Sequence, residues 1–344
     1  MSGSALPERF AGVAELEEFL SEPTPELAAD LARVPGDIMV LGVAGKMGPT
    51  LARMARRAVP GRRVVGVARF SDPALRAALE AVGVETIACD LLDRRAVAAL
   101  PRLPNIIYMA AMKFGASGNP ALTWAMNVHA PAIVAESLPE ARIVAFSTGC
   151  VYPFVSVDGG GATEDAPAVP PPGDYANSCV GRERMFEHFS ARFSTPGRLI
   201  RLNYAIDMRY GVLHDLAAKV LAGEPIDLAM GHVNVIWQGD ANAAALRCLA
   251  RTTTPTSPLN VTGPETLSVR WLAEELGRRM RRTPHFTGSE AATGWLNNSA
   301  RMVAELGAPR VGVARMLDWT ADWQLRGMAS HGKPTHYEVR DGRF

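Results

Sequence analysis

The chain has 344 residues, enough for one large α/β domain or two interleaved ones with an ample core. Hydrophobic residues make up 48% and charged residues 21%, ordinary for a globular protein, and a net charge of +1 gives no electrostatic case for nucleic acid or an anionic membrane surface. Four scattered cysteines without a C-x-x-C pair, an N-terminus without a signal-peptide pattern, and no run near the roughly 20 apolar residues of a membrane span point to reduced thiols and a cytoplasmic protein.

Residues 1–36 precede the first strand, and within them 13–21 and 25–34 have helical apolar spacing, expected to form short helices outside the core. Residues 38–41 read as a buried strand. Gly42, Gly45 and Gly48 follow at a three-residue spacing, with Lys46 and Met47 between the last two, and 50–57 read as a helix. A strand that turns through glycines into a helix offers backbone N–H groups and a helix dipole to a pyrophosphate: Gly42 permits the turn, Gly45 the close approach, and Gly48 the tight packing of helix on strand. Strands are then expected at 63–68, 85–89, 105–110 and 142–146, and helices at 73–82, 94–100 and 122–138. This alternation predicts a doubly wound parallel sheet with helices on both faces and ligands at the carboxyl ends of its strands.

Further along, 155–173 reads as a loop, 174–192 as a helix, 197–203 as a strand and 212–222 as a helix. A mixed segment at 225–238 leads to a helix at 241–250 that Asp240 is expected to cap, then a strand at 259–262 and a helix at 269–280. The polar stretch 330–344, with His331, His336 and Tyr337, reads as a surface arm that touches a partner subunit or closes over the site. The histidines have no metal-ligand spacing, so no metal is expected.

Several short motifs occur in one order: Gly42-x-x-Gly45-x-x-Gly48, Cys89-Asp90-Leu91-Leu92-Asp93, Ile107-Tyr108-Met109-Ala110-Ala111, Met126-Asn127-Val128, Phe146-Ser147-Thr148, Tyr175-Ala176-Asn177-Ser178, Asn260-Val261-Thr262-Gly263-Pro264 and Trp319-x-x-x-Trp323. In these the chain resembles the extended short-chain dehydrogenase/reductase superfamily, in its NAD(P)-dependent epimerase/dehydratase branch, from residue 37 to about 326. The resemblance implies a Rossmann-type cofactor domain at 37–204, a smaller substrate lobe at 205–329 with segments returning to the sheet, and a homodimer built on the long helices after strands four and five. It implies Gly42, Gly45, Lys46, Met47 and Gly48 along the cofactor, Asp90 and Leu91 at the adenine, Met109, Ala110, Ala111 and Asn127 beside the cofactor, Tyr175 as acid/base also contacting the cofactor, and Thr148, with Ser147 second, holding the substrate oxygen. Asn203, Arg209, His232 and Trp237 fall where such proteins place substrate contacts. Where an acidic residue after strand two would select NAD, this chain has Arg69, with Ser71 nearby. Pairing with a 2′-phosphate favours NADP; stacking of Arg69 on adenine in an NAD protein stays open.

One departure bears on the chemistry. The resemblance calls for a lysine four residues after the tyrosine, and this chain has Cys179. A free tyrosine has a pKa of about 10 and needs help to act as a base at neutral pH. Three readings are open: Lys113, or else Arg182, supplies the missing cation; Tyr175 stays protonated and acts as acid or hydrogen-bond donor; or the protein binds its cofactor without turnover, as a sensor or scaffold. The expected activity is an epimerase-, dehydratase- or reductase-type reaction at a hydroxyl or carbonyl of a sugar, sugar acid or nucleotide sugar, with reduction of a non-sugar carbonyl as the alternative.

Overall fold

The apolar runs β1 (Ile38–Leu41), β2 (Val64–Ala68) and β4 (Asn105–Tyr108) are buried along their whole length because helices cover both faces of the sheet they enter. The computed structural model describes residues 6–113 and 118–341; the first five residues of the N-terminal extension and the last three of the arm lie outside them. The other sheet strands are β3 (Glu85–Ala88), β5 (Arg142–Thr148), β7 (Gly197–Leu202) and β12 (Ser257–Val261). The seven strands are parallel, in the order β12-β7-β5-β4-β1-β2-β3. Order reverses between β1 and β4, which puts the crevice of a doubly wound sheet beside the glycine loop. Short paired strands lie outside it: β6 (Val155–Ser156) with β15 (Thr293–Gly294), β8 (Ala205–Ile206) with β11 (Ile236–Trp237), β9 (Pro225–Asp227) with β14 (His285–Thr287), and β10 (His232–Val233) with β13 (Leu267–Ser268).

Alternation along β1 divides the core. Ile38 and Val40 face a layer built on α3 (Gly48–Ala58) and α10 (Gln238–Arg247); Met39 and Leu41 face one built on α5 (Arg94–Ala98), α7 (Ala130–Ser137) and α8 (Asp174–Phe193). The lobe packs α9 (Val212–Ala222), α11 (Val269–Met280) and α13 (Val313–Leu325) against one another. Among the described residues no helix is long and apolar enough to cross a membrane.

Four local expectations are corrected. The N-terminal helices α1 (Val13–Leu20) and α2 (Pro25–Ala32) are part of the core: Leu27 and Leu31 join the layer under β1, and Leu16 and Leu20 join the lobe. The long helix after β4 begins as α6 (Pro120–Trp124), passes through a π-turn at Ala125–His129 and continues as α7. Pro131 has no N–H to offer the Asn127 carbonyl, so the α-ladder cannot run through this point. Asp240 lies inside the first turn of α10, and its carboxylate accepts from the Val311 N–H at 2.9 Å. The arm is exposed at 331–334 but then turns inward over the site: Thr335 and Tyr337 are 2% and 1% exposed, anchored because the Asp215 carboxylate accepts from both the Thr335 N–H and its hydroxyl.

Gly48 shows how tightly α3 seats on the loop. A Cβ there would strike the Val43 carbonyl oxygen, which is fixed backbone. We expect Gly48→Ala to cost about 1–3 kcal/mol of stability, read as a lower denaturation midpoint at unchanged m-value. An unchanged midpoint would show that the close approach is not rigid.

Candidate active site

The glycine loop ties β1 to its neighbours before it turns into α3. The Gly42 and Val43 N–H groups both reach the Val67 carbonyl, at 2.8 and 3.2 Å. Gly42 sits at φ +85°, and a Cβ on it would collide with the Ala110 backbone after β4. At Gly45 a Cβ would meet only the Gly42 carbonyl at 3.4 Å, so the surface above the loop is open. Ala44, Gly45, Arg69, Asp90 and Ala111 are all exposed along this carboxyl edge. No acidic residue stands in the first turn of α3. An open backbone cradle at an unopposed helix N-terminus fits the pyrophosphate of a dinucleotide, with Arg69 and Asp90 at the end where its nucleoside would lie. Leu91 is buried in the core, and Met109 is half-buried.

Beyond the loop, between sheet and lobe, lies a partly open cavity of ≈ 180 Å³. Thr148 enters it from the end of β5 and Tyr175 from the first turn of α8. The Thr148 hydroxyl is close enough to the Tyr175 phenol to favour its ionised form, and the Thr148 oxygen accepts from the Cys150 N–H at 3.2 Å. Lys113 enters from the segment after β4, its Nζ 5.8 Å from the centre of the Tyr175 ring and donating to the Thr335 carbonyl at 3.2 Å. Desolvation, reinforced by Cys179 and Cys150, raises the Tyr175 phenol well above its ordinary value, and desolvation lowers the Lys113 ammonium.

Cys179 stands one turn beyond Tyr175, fully buried, its thiol pushed by burial up to about 11 and therefore neutral at pH 7. Arg182 lies one layer behind: its guanidinium donates to the Phe146 carbonyl at 2.9 Å and to Asn127 Oδ1 at 2.7 Å. Asn127 in turn accepts from the Met112 N–H at 2.8 Å and donates to the Met112 carbonyl at 3.0 Å. Asn127 and Arg182 thus clamp the segment that carries Lys113, and Lys113 is the cation of the two that lines the cavity.

Ser147 lines the cavity too, but its hydroxyl donates to Glu183 at 2.6 Å, and Glu183 is bound by Arg201. Asn203 lines it and donates to the Trp295 carbonyl at 3.0 Å and to Asn297 at 3.1 Å. Three further residues expected near a substrate are placed elsewhere. Arg209 is buried in ion pairs with Asp207 and Glu17; Trp237 packs among Phe10, Phe19 and Trp319; His232 sits on the short strand β10. The cavity also takes residues outside the expected site: Tyr204, at φ +40°, Gln238, and Thr335 from the arm. No local motif marks Thr335, because only the fold of the arm against Asp215 brings it there. Among the described residues no cluster of histidine, cysteine and carboxylate side chains could hold a metal.

The model of a family described as NAD dependent epimerase/dehydratase matches residues 38–231. No curated protein matches the chain. Solved structures share its fold at low identity. A UDP-glucose 4-epimerase from Thermotoga maritima, solved with UDP-glucose, is 17% identical, with 85% of this chain and 99% of that one covered and a TM-score of 0.69. A UDP-glucuronic acid 4-epimerase from Bacillus cereus, solved with UDP-glucuronic acid and NAD, is 17% identical over 84% and 99% of the two chains, with a TM-score of 0.69. A dTDP-glucose 4,6-dehydratase from Streptomyces venezuelae, solved with NAD, is 20% identical over 84% and 97%, with a TM-score of 0.71.

Proposed function

The chain belongs to the NAD dependent epimerase/dehydratase family, and from that premise we propose an enzyme that binds NADP or NAD in the crevice above Gly42, Gly45 and Gly48 and acts on a hydroxyl or carbonyl of a carbohydrate-like substrate. The observation that carries the reading is the Tyr175–Thr148 hydroxyl pair at the strand ends, beside Lys113 and next to the open glycine cradle. A nicotinamide held there would supply hydride transfer to or from the substrate carbon. Thr148 holds the substrate oxygen. Tyr175, kept protonated at neutral pH by burial, donates to that oxygen, and Lys113 with Arg182 eases the negative charge left on the phenol. Screening neutral sugars, sugar acids and nucleotide sugars for a change in nicotinamide absorbance tests this. The neutral thiol of Cys179 supports one second reading, cofactor binding without turnover: in that case cofactor titrates in but no substrate of the panel changes the absorbance.

Arg69, exposed at the end of β2, supports NADP over NAD. We expect Arg69→Ala to weaken NADP binding by about 10-fold or more, the weight of a hydrogen bond to a charged group, and to leave NAD binding nearly unchanged. Equal losses for both cofactors would assign Arg69 to the adenine instead.

A further inference from the structure

A lysine one turn beyond the tyrosine would be held in place by the tyrosine's own helix. Here α8 has Cys179 at that point, and Lys113 comes instead from the segment after β4, outside any helix or strand. Fixing a lysine side chain costs up to about 2 kcal/mol of rotamer freedom, so a lysine that must stay at one phenol needs bonds at its tip as well as at its backbone. The backbone is held by Asn127, which bonds both the N–H and the carbonyl of Met112. At the tip, the Lys113 ammonium donates at 3.2 Å to the Thr335 carbonyl, 222 residues further along the chain.

Thr335 is itself fixed at every polar atom. Its N–H and hydroxyl donate to the Asp215 carboxylate at 2.7 and 2.6 Å, and its hydroxyl oxygen accepts from the Tyr337 N–H at 3.3 Å. With those groups turned toward Asp215 on α9, the carbonyl is left facing Lys113 at the cavity that both residues line. His336 follows at φ +55°, in the left-handed region that a non-glycine residue enters when its surroundings hold it there. The arm is tied on both sides of this turn. Before it, the Ser330 hydroxyl and His214 Nε2 share a bond at 3.0 Å, and the His331 N–H reaches the Arg209 carbonyl at 3.1 Å. After it, Arg340 donates to the Thr293 carbonyl at 2.7 Å and to its hydroxyl at 2.8 Å. The charged and titratable groups that act on Lys113 are Asp215 on α9, Glu338 in the arm, Cys150 after β5, Cys179 on α8 and Lys46 in the glycine loop, with the Tyr175 ring at 5.8 Å. Asp215 is the member of this set that grips Thr335. One carboxylate thus favours the ammonium by its charge and aims the carbonyl that accepts from it.

We propose that Asp215 and Thr335 are positioning residues: together they hold the Lys113 ammonium beside Tyr175, so that the C-terminal arm gives the cation the support that α8 would give a lysine in place of Cys179. The inference rests on the reading of Tyr175 as the acid of the site, and it adds what keeps the cation there.

The test is the exchange of lysine Nζ protons with water, read by nuclear magnetic resonance at mildly acid pH on the full chain carrying isotope-labelled lysine. The chain has four lysines, so a lysine-to-arginine change at each position assigns the signals. Thr335→Val keeps the volume and removes the hydroxyl; Asp215→Asn keeps the shape and removes the charge. Each is expected to speed exchange at Lys113 by about 10-fold, the weight of a hydrogen bond to a charged group. Thr335→Ser should keep the original rate, and Lys219, on the same helix as Asp215, should not change in any variant. An unchanged Lys113 signal in both Thr335→Val and Asp215→Asn would overturn the inference and assign the hold to the clamp on Met112. Faster exchange at Lys219 as well would show a general loosening and overturn it too. On any sugar that turns over, the same two variants should lower kcat by about 10-fold with KM nearly unchanged, and an unchanged kcat would overturn the positioning role. If no sugar turns over, the enzyme reading falls, and the Lys113 signal alone decides whether the arm holds the lysine.

Discussion

Replacing Tyr175 by phenylalanine is expected to lower turnover by about 10²–10⁴-fold, the usual weight of one positioned acid/base, while cofactor affinity stays unchanged. The ring remains to wall the cavity, so only the hydroxyl is lost. In barrier terms the loss corresponds to about 3–5 kcal/mol. The raised phenol fixes the sign of the pH behaviour as well. Tyr175 is protonated throughout the neutral range, so a reaction that needs it as donor shows no fall in rate between about pH 6 and 9 from phenol ionisation. Full turnover in Tyr175→Phe would remove the tyrosine from the chemistry and leave Lys113 and Thr148 as the groups to test next. Cys179 does not rescue the argument for a phenolate base, since a thiol pushed to about 11 carries no charge at pH 7 and could only be negative if it ionised.

Much of this arrangement is written locally in the chain. The glycine loop is legible because three glycines, a buried strand before them and a helix after them are consecutive, and backbone geometry depends on near neighbours. Thr148 and Tyr175 are legible for a different reason: the resemblance carried by Phe146-Ser147-Thr148 and Tyr175-Ala176-Asn177-Ser178 singles them out, and the fold brings the end of β5 and the start of α8 to one cavity. What a single stretch cannot display is the partner of a long polar side chain. Arg209 looks like a substrate group until Asp207 and Glu17 occupy its guanidinium, and Glu17 comes from a helix 192 residues away. Trp237 looks like a ring at a ligand until Phe10 stacks on it at 6.2 Å. Asn127 reads as a neighbour of the cofactor, yet its amide is spent on Met112, Ser178 and Arg182. In the arm, sequence polarity suggests solvent, but Thr335 is buried against the half-buried Asp215 carboxylate. Burial of polar groups follows available partners rather than hydropathy.

The largest loss of stability is expected one layer behind the site, at Arg201. Its guanidinium binds Glu183 through Nη2 at 2.7 Å and Nε at 3.0 Å, and donates to the Tyr152 hydroxyl at 2.7 Å. Arg201 is 3% exposed and Glu183 wholly buried. The network runs on: the Tyr152 hydroxyl donates to Asn260 at 2.9 Å, Asn297 donates to Asn260 at 3.4 Å, and Asn203 donates to Asn297 at 3.1 Å. It therefore joins Ser147 on one wall of the cavity to Asn203 on another. Arg201→Met would leave Glu183 in the core with the Ser147 hydroxyl as its remaining hydrogen-bond donor, and breaking a buried ion pair from one side costs about 3–5 kcal/mol. Against a total stability of about 5–15 kcal/mol that is a large share, visible as a marked drop in denaturation midpoint. Glu183→Met alone should cost a similar amount, by stranding the guanidinium. The double variant should cost clearly less than the sum, because it removes both charges and fills the space with apolar volume. Additive losses would show that the two side chains act independently. The same cycle bears on the site: Ser147 now spends its proton on Glu183, which leaves Thr148 to meet the substrate, and Glu183→Met would release Ser147 to compete with it.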